Sequence, residues 1–480
     1  MKKKSIVAVV CVVLALAVFS GCREDDGVPT LIWWNVGTPQ HGFARYMRII
    51  SDYVYEQIGV RLVIRQAGWG EAEQRFNVMI NTGEYFDIMF VDGGSYARFA
   101  ALGAFLDITD LVPEVAPYLW EYIPEALWDG VRFRGRIHAV PTYKDSSRTG
   151  LYFWDDYFVQ KYDIDLTGTG WAFLDEVFRR MKEGEDNPRF FPFQMTRNSD
   201  IFLFDNYDGL SALLPPIGVR IDDESRRVVN LLEQPDIIEA FRFLHSWQRD
   251  GIINPNANMI NEAPPGAPFF IAQAWPSVAY AFALAQGIER YHPVVFSGPI
   301  YSTGSIQGSM NAISVNSRHP EAALRFLQLV NSDTLLRDML HMGIEGTHFI
   351  YVDTEYGRRI RRLRTDWPLV NFQQGSFFIQ TPLEDVPPGF LDEIRHQNNT
   401  AFRSVMLGFM MDTEPVIREI MNARNVWSRY EVDLRTGVLN PDVILPTVIA
   451  ELRDAGLDRI IEEAQRQVDE FARLMDTREE

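Results

Sequence analysis

Cysteine is almost absent: only Cys11 and Cys22 carry a thiol, and both lie at the very start of the 480-residue chain. The body that follows has no disulfide and no cysteine-based metal site, so buried apolar surface must stabilise it. A chain of this length is ample for two domains of ordinary size. Positive charge is scarce too. Lys and Arg number 46 against 65 Asp and Glu, for a net charge of −19, and after Lys4 the only lysines are Lys144, Lys161 and Lys182. No basic stripe offers itself to a phosphate backbone, which sets nucleic acid aside as a partner. The same acidity keeps the body off anionic lipid head groups. Catalytic signatures are missing as well. There is no GxSxG elbow, Cys/His pair, phosphate-binding GxxxxGKS/T loop or HExxH, so nothing points to an enzyme or to a resident cofactor. A secreted carbohydrate-active enzyme is the alternative and needs two carboxylates about 5 to 10 Å apart; among 65 acidic residues no pair stands out. Internal repeats and low-complexity tracts are also absent.

One long apolar run is present, Ile6 to Phe19, behind Lys2, Lys3 and Lys4. Cations followed by an apolar stretch form the first two regions of an export signal. As a helix the run spans about 21 Å, short of the roughly 30 Å of a bilayer's hydrocarbon core. It closes on Phe19-Ser20-Gly21-Cys22, which resembles the lipobox of bacterial lipoproteins, with Phe19 where that family usually has leucine. The resemblance implies a signal peptide over residues 1–21 and a diacylglyceryl group on Cys22, the new N-terminus. Residues 22–29 then form a polar tether, and loss of three lysines takes the net charge to −22. The expected location is the cell envelope, anchored to the outer face of the cytoplasmic membrane or facing the periplasm. An ordinary secretory signal with an incidental Cys22 is the competing interpretation.

From Thr30 the hydrophobic period alternates. Leu31 to Trp34, Arg61 to Ile64 and Phe86 to Val91 read as strands; between them Phe43, Met47, Ile50, Val54 and Ile58, then Phe76, Met79 and Ile80, recur at helical spacing. This is βαβαβ, and its apolar strands argue for a parallel sheet covered on both faces. Such sheets take ligands beyond the carboxyl ends of their strands. Gly- and Pro-punctuated loops between Lys144 and His292 suggest a second lobe, and the end of the chain is helical, with Ile460, Ile461, Ala464, Val468 and Phe471 on one face.

Four stretches together resemble extracellular solute-binding proteins, family 1, of ABC importers, in the lipoprotein branch that ends in a DUF3502-type domain. They are the lipobox, FDIMFVDGGSYARFAALGAFLDITDLV at 86–112, GRIHAVPTYKDSSRTGLYFWDDYF at 135–158, and a tail with GIEGTHF, LGFMMDTEPV and LRDAGLDRIIEEAQRQVDEF. The resemblance implies an α/β, two-lobed periplasmic-binding-protein-like fold of type 2, with a hinge between discontinuous lobes. It places lobe 1 at 30–141 plus 293–330, lobe 2 at 142–292 plus 331–400, and a helical C-terminal region packed on the lobes at 401–480. Crossings are expected at Pro141 to Lys144, His292 to Phe296 and Val330 to Gly343. The implied partners are a small solute, the importer's permease subunits and the membrane through the lipid, with the protein acting as a monomer. A lipoprotein adhesin or scaffold, or a binder of peptides, is the other class.

A sugar offers hydroxyls for paired hydrogen bonds and flat C–H faces for aromatic rings, so Trp and Tyr beside polar groups mark a carbohydrate cleft. Trp34 with Asn35, Trp69 between two glycines, and Trp275 before Pro276 fall at loop positions. Trp275 also resembles, by its place after an apolar strand, the stacking tryptophan of maltodextrin-binding members. Each of the three fits a lobe core equally well. The resemblance puts a sugar-contacting loop at Asp92, Ser95 and Tyr96, where helix capping is the competing explanation. Tyr143 and Lys144 fall on the first crossing, Tyr301 joins the set, and Glu345 and His348 belong to the GIEGTHF signature. His341, Glu345 and His348 share helical spacing, but Gly343 and Gly346 interrupt any helix that would present them to zinc. Asp205, Asn206, Asp208 and Gly209 loosely suggest calcium but lack the spacing of a twelve-residue EF-hand loop, which favours a plain loop.

Overall fold

The computed structural model describes residues 27–479 apart from Pro39, His41, Ala212 and Leu213, so Cys22 and the leader lie outside the described residues. The alternating segments after Thr30 form the expected βαβαβ unit. Strands β1 (Thr30–Val36), β2 (Arg61–Ala67) and β3 (Ile88–Val91) run parallel. Helices Phe43–Ile58 and Ala72–Thr82 join them, burying Met47, Ile50 and Val54 from the first and Phe76 and Met79 from the second. Both helices stop at a glycine in left-handed conformation, Gly59 (φ 69) and Gly83 (φ 66), where a side chain is strained.

The sheet is mixed rather than wholly parallel. A hairpin of β4 (Arg132–Phe133) and β5 (Arg136–Ile137) leads into β6 (Ala139–Pro141). Much later in the chain β13 (Met310–Ile313) inserts antiparallel between β3 and β6, giving the order β2-β1-β3-β13-β6. The register sets Met310 opposite both Val91 and Pro141, so the loops before β13 and after β6 open on the edge where β3 ends.

The second lobe is built on β7 (Arg148–Asp155), flanked antiparallel by β11 (Phe269–Gln273) and β12 (Tyr291–Tyr301), with the short β16 (Phe402–Arg403) parallel to the end of β12. Beside it lie β8 (Tyr207–Asp208), β9 (Ile217–Arg220) and β10 (Val228–Asn230) as a three-stranded sheet; β14 (Phe349–Thr354) and β15 (Gly357–Arg362) form a separate hairpin.

Each lobe has its own large core. Trp33, Trp128 and Phe326 sit in the first, and Trp154, Phe178, Trp247 and Phe269 in the second. The C-terminal helices belong to the second: Ile420, Val448, Leu452, Ile460, Ala464 and Val468 are buried in it. The helices complete that lobe, while Ala401, Leu407 and Met410 of the same region pack against the first core.

Two expected boundaries move. The whole of β12 stays in the second sheet, so the crossing falls at Tyr301 and Ser302 rather than at His292 to Phe296. Helix Thr334–Met342 buries Leu336, Met339 and Leu340 in the first core, so the chain returns only after Ser376, through the helix Phe390–Thr400. Hydrophobic periodicity identifies a buried face but not which of two cores it faces.

Candidate functional site

The carboxyl edge of the first sheet is covered by a loop, residues 371–376, that one buried cation organises. Arg337 is fully buried on the helix Thr334–Met342. Its Nε donates to the carbonyl of Ser376 at 3.0 Å, Nη1 to Gln374 Oε1 at 2.6 Å, and Nη2 to the carbonyl and side-chain oxygens of Asn371. Burial pushes its pKa down to about 9, partly offset by Asp338. That carboxylate is engaged elsewhere, by Tyr351 Oη at 2.9 Å and the Thr381 N–H at 2.8 Å. Gln373 completes the seat: its side chain accepts the Val36 N–H at 2.9 Å and donates to the Val36 carbonyl at 3.0 Å. Asn311 donates to the Gln373 carbonyl at 3.0 Å and receives Trp33 Nε1 at 2.9 Å. Nothing in the sequence of this polar loop marks it for the site.

On that platform stands an aromatic surface. Trp69, after β2, is 57 % exposed, with its ring 6.3 Å from Phe372, which lies 6.0 Å from Phe90. At the first crossing the Tyr143 ring is 4.4 Å from Phe378 and 5.7 Å from Tyr122, and the Arg395 guanidinium sits 4.9 Å above Phe378. Lys144 Nζ lies 3.1 Å from Asp145 Oδ1. On the second lobe Trp275 is half-buried just after β11, 6.4 Å from Phe390. The helix Phe390–Thr400 ties this corner to the hinge: Glu393 accepts the Ser277 N–H, Gln397 donates to the Ala274 carbonyl, and Asn398 joins Lys144 to Ser147. Tyr301 is buried, its hydroxyl has no hydrogen-bond partner among the described residues, and desolvation raises its pKa.

Two cavities open beside the hinge. One, about 620 Å³, lies between Phe133 and Arg134 of the β4–β5 hairpin and Arg403, Met410 and Phe471 of the second lobe's C-terminal segments. The other, about 480 Å³, is lined mainly by the second lobe, including Arg148, Tyr207 and Trp427. Arg148 is neutralised there by Asp205 and Asp200, both at 2.8 Å, so the loop that loosely suggested calcium uses Asp205 in an ion pair.

Several candidate residues sit elsewhere than the cleft. Tyr96 is fully buried, and its hydroxyl donates to the Val131 carbonyl at 2.6 Å and accepts the His138 N–H; it packs beneath the site. Asp92 and Ser95 form a capping box for the helix Gly93–Ala101, Asp92 Oδ1 accepting the Gly94 and Ser95 N–H groups at 3.1 and 3.2 Å. Trp34 is buried between Phe76 and the Arg75 guanidinium, which lies 4.9 Å from its ring. Its Nε1 and the neighbouring Asn35 Nδ2 lack partners among the described residues. His348 is 2 % exposed, wedged edge-on against Tyr46 and Trp367, with Nδ1 accepting the Ile344 N–H at 3.1 Å. Glu345 is exposed on the turn that precedes it. The GIEGTHF segment is therefore a joint of the first lobe.

A family model described as bacterial extracellular solute-binding protein matches residues 38–334, and one described as a domain of unknown function, DUF3502, matches residues 405–473. A carbohydrate ABC transporter substrate-binding protein of Streptococcus pneumoniae serotype 4 is 24 % identical over 459 residues, covering 93 % of this chain and 92 % of its own. Among solved structures, an N-glycan transport solute-binding protein (NgtS) from Streptococcus pneumoniae superposes with a TM-score of 0.81 at 23 % identity, over 93 % of this chain and 99 % of that one. Its complexes with Man1GlcNAc and Man5GlcNAc give 0.72 and 0.69 at the same identity, covering 93 % of this chain and 100 % and 99 % of theirs.

Proposed function

The chain belongs to the bacterial extracellular solute-binding protein family, and on that premise we propose that it captures an oligosaccharide between its lobes and delivers it to an ABC importer's permease. The observation that carries this is the exposed Trp69 on one lobe and the half-buried Trp275 on the other, with Lys144, Asp145 and Arg395 at the hinge between them. Stacking faces with hydrogen-bonding groups between them suit a sugar ring better than a peptide backbone. The carbohydrate relatives support the same solute class. The chain binds without turnover, outside the cytoplasm, held to the membrane by a lipid on Cys22.

A melting-shift screen over oligosaccharides, amino acids and peptides tests the solute class. Stabilisation is expected from one oligosaccharide series; a shift from peptides alone overturns the proposal. Incorporation of radioactive fatty acid into the wild type but not into Cys22→Ser tests the anchor.

A further inference from the structure

The cavity between the β4–β5 hairpin and the C-terminal segments carries a charge pattern opposed to that of the whole molecule. The chain is −19 overall, yet Arg132, Arg134, Arg226, Arg403 and Arg466 line this space against three carboxylates, Asp129, Asp412 and Glu470. Three of them are neutralised locally: Arg132 by Asp129 at 3.2 Å, Arg134 by Asp412 at 2.7 Å, and Arg466 by Glu463 at 2.6 Å. Arg226 and Arg403 have no carboxylate partner among the described residues. They are also neighbours. Arg226 Nε donates to the Val405 carbonyl at 3.2 Å, two residues past Arg403 in the chain, and both side chains line the cavity. Arg403 in turn pairs in register with Tyr301, whose buried hydroxyl lacks a partner. The floor is apolar, from Phe133, Met410 and Phe471.

Two guanidiniums without a carboxylate partner at the rim of an apolar-floored cavity leave their forked N–H donors free to receive a planar anion. At physiological ionic strength charges are screened over about 8 Å, so an anion inside the cavity senses these two groups far more than the distant acidic surface. We propose that the glycan taken by this cleft carries an anionic substituent, a carboxylate or a sulfate ester, which Arg226 and Arg403 hold in the cavity. This rests on the oligosaccharide function proposed above and narrows it to acidic sugars. Both lobes border the cavity, and Arg134 to Asp412 already bridges them, so an anion seated there also draws the lobes together.

The test is a titration of the protein with oligosaccharides in matched pairs: uronate-containing chains against their methyl esters, and sulfated chains against their desulfated twins. The acidic member of at least one pair is expected to bind about 10-fold or more tighter than its neutral twin, with an advantage that shrinks as salt rises. Whichever pair shows the difference distinguishes carboxylate from sulfate. Arg403→Ala and Arg226→Gln are each expected to abolish most of that preference, and Arg403→Lys to retain part of it. The exposed Arg403 makes no core contact, so its variants should melt unliganded like the wild type. Neutral twins that bind as well as the acids overturn the anion site and leave carbohydrate binding standing, as does a preference that survives both substitutions. If no oligosaccharide of either kind binds, both fall.

Discussion

Trp69 and Trp275 are the two residues whose roles in the proposed cleft separate most cleanly from folding. Trp69 is mostly solvent-exposed, and Trp275 is half-buried outside the large lobe cores, with Phe390 its one aromatic neighbour among the described residues. Stacking between aromatic rings is worth on the order of 1 kcal/mol per contact, and a sugar's C–H face on a tryptophan is taken on the same scale. Trp69→Ala and Trp275→Ala are therefore each expected to weaken oligosaccharide binding by about fivefold or more, while the unliganded melting temperature stays put; calorimetric titration beside a thermal melt reads both. A second residue-scale expectation concerns acid. Burial, with Arg337 and Arg362 close by, pushes His341 down to about 3, and burial also lowers His348. His341 stays neutral in the fold while the unfolded chain takes up its proton near pH 6.5, and the shift of His348 acts in the same direction. The His341 contribution is complete above that value and is lost as pH falls toward 3, so the urea midpoint should decline over that range, less steeply in His341→Gln. Residue types alone did not reveal these roles: Tyr96 and His348 carry polar atoms suited to a ligand, and only the fold shows those atoms engaged by Val131 and Ile344.

At the scale of elements, legibility followed the range of the forces. The first three strands and their two helices depend on local periodicity and on glycine stops, and they appear where the pattern placed them. The loop 371–376 has no such pattern, because Arg337, distant in sequence, defines its shape through carbonyls. Arg337→Met leaves those carbonyls and Gln374 unpaired in the interior; a loss of about 3 to 5 kcal/mol is expected from a urea titration. Arg337→Lys should recover only part, since one ammonium cannot reach around the loop as a guanidinium does. The Asp92 cap allows a sharper distinction. If capping is its whole task, Asp92→Ala costs about 1 kcal/mol of stability and leaves oligosaccharide affinity unchanged; a large affinity loss with little destabilisation would instead make the loop a ligand contact.

On the scale of the whole molecule, the sequence made the two-lobed plan readable through its motifs, whereas the path between lobes escaped it because one apolar helix face looks like another. The C-terminal helices bear the consequence. Val448, Leu452, Ile460, Ala464 and Val468 are buried against Val228, Ile237 and Leu244 in the second lobe's core. Each large apolar side chain buried contributes about 1.5 to 3 kcal/mol, so Val448, Leu452, Ile460 and Val468 together contribute about 6 to 12 kcal/mol, as much as the 5 to 15 kcal/mol that typically separates a folded domain from its unfolded chain. Ending the chain before Val405 should thus unfold the second lobe while the first keeps its core around Trp33 and Trp128, apart from contacts with Leu407 and Met410. The expected signature is a single remaining thermal transition with a reduced enthalpy, and hydrogen-exchange protection confined to residues 30–141 and 303–376. Were protection to survive across β7, β11 and β12, the helices would be an appendage and the core assigned here would be wrong.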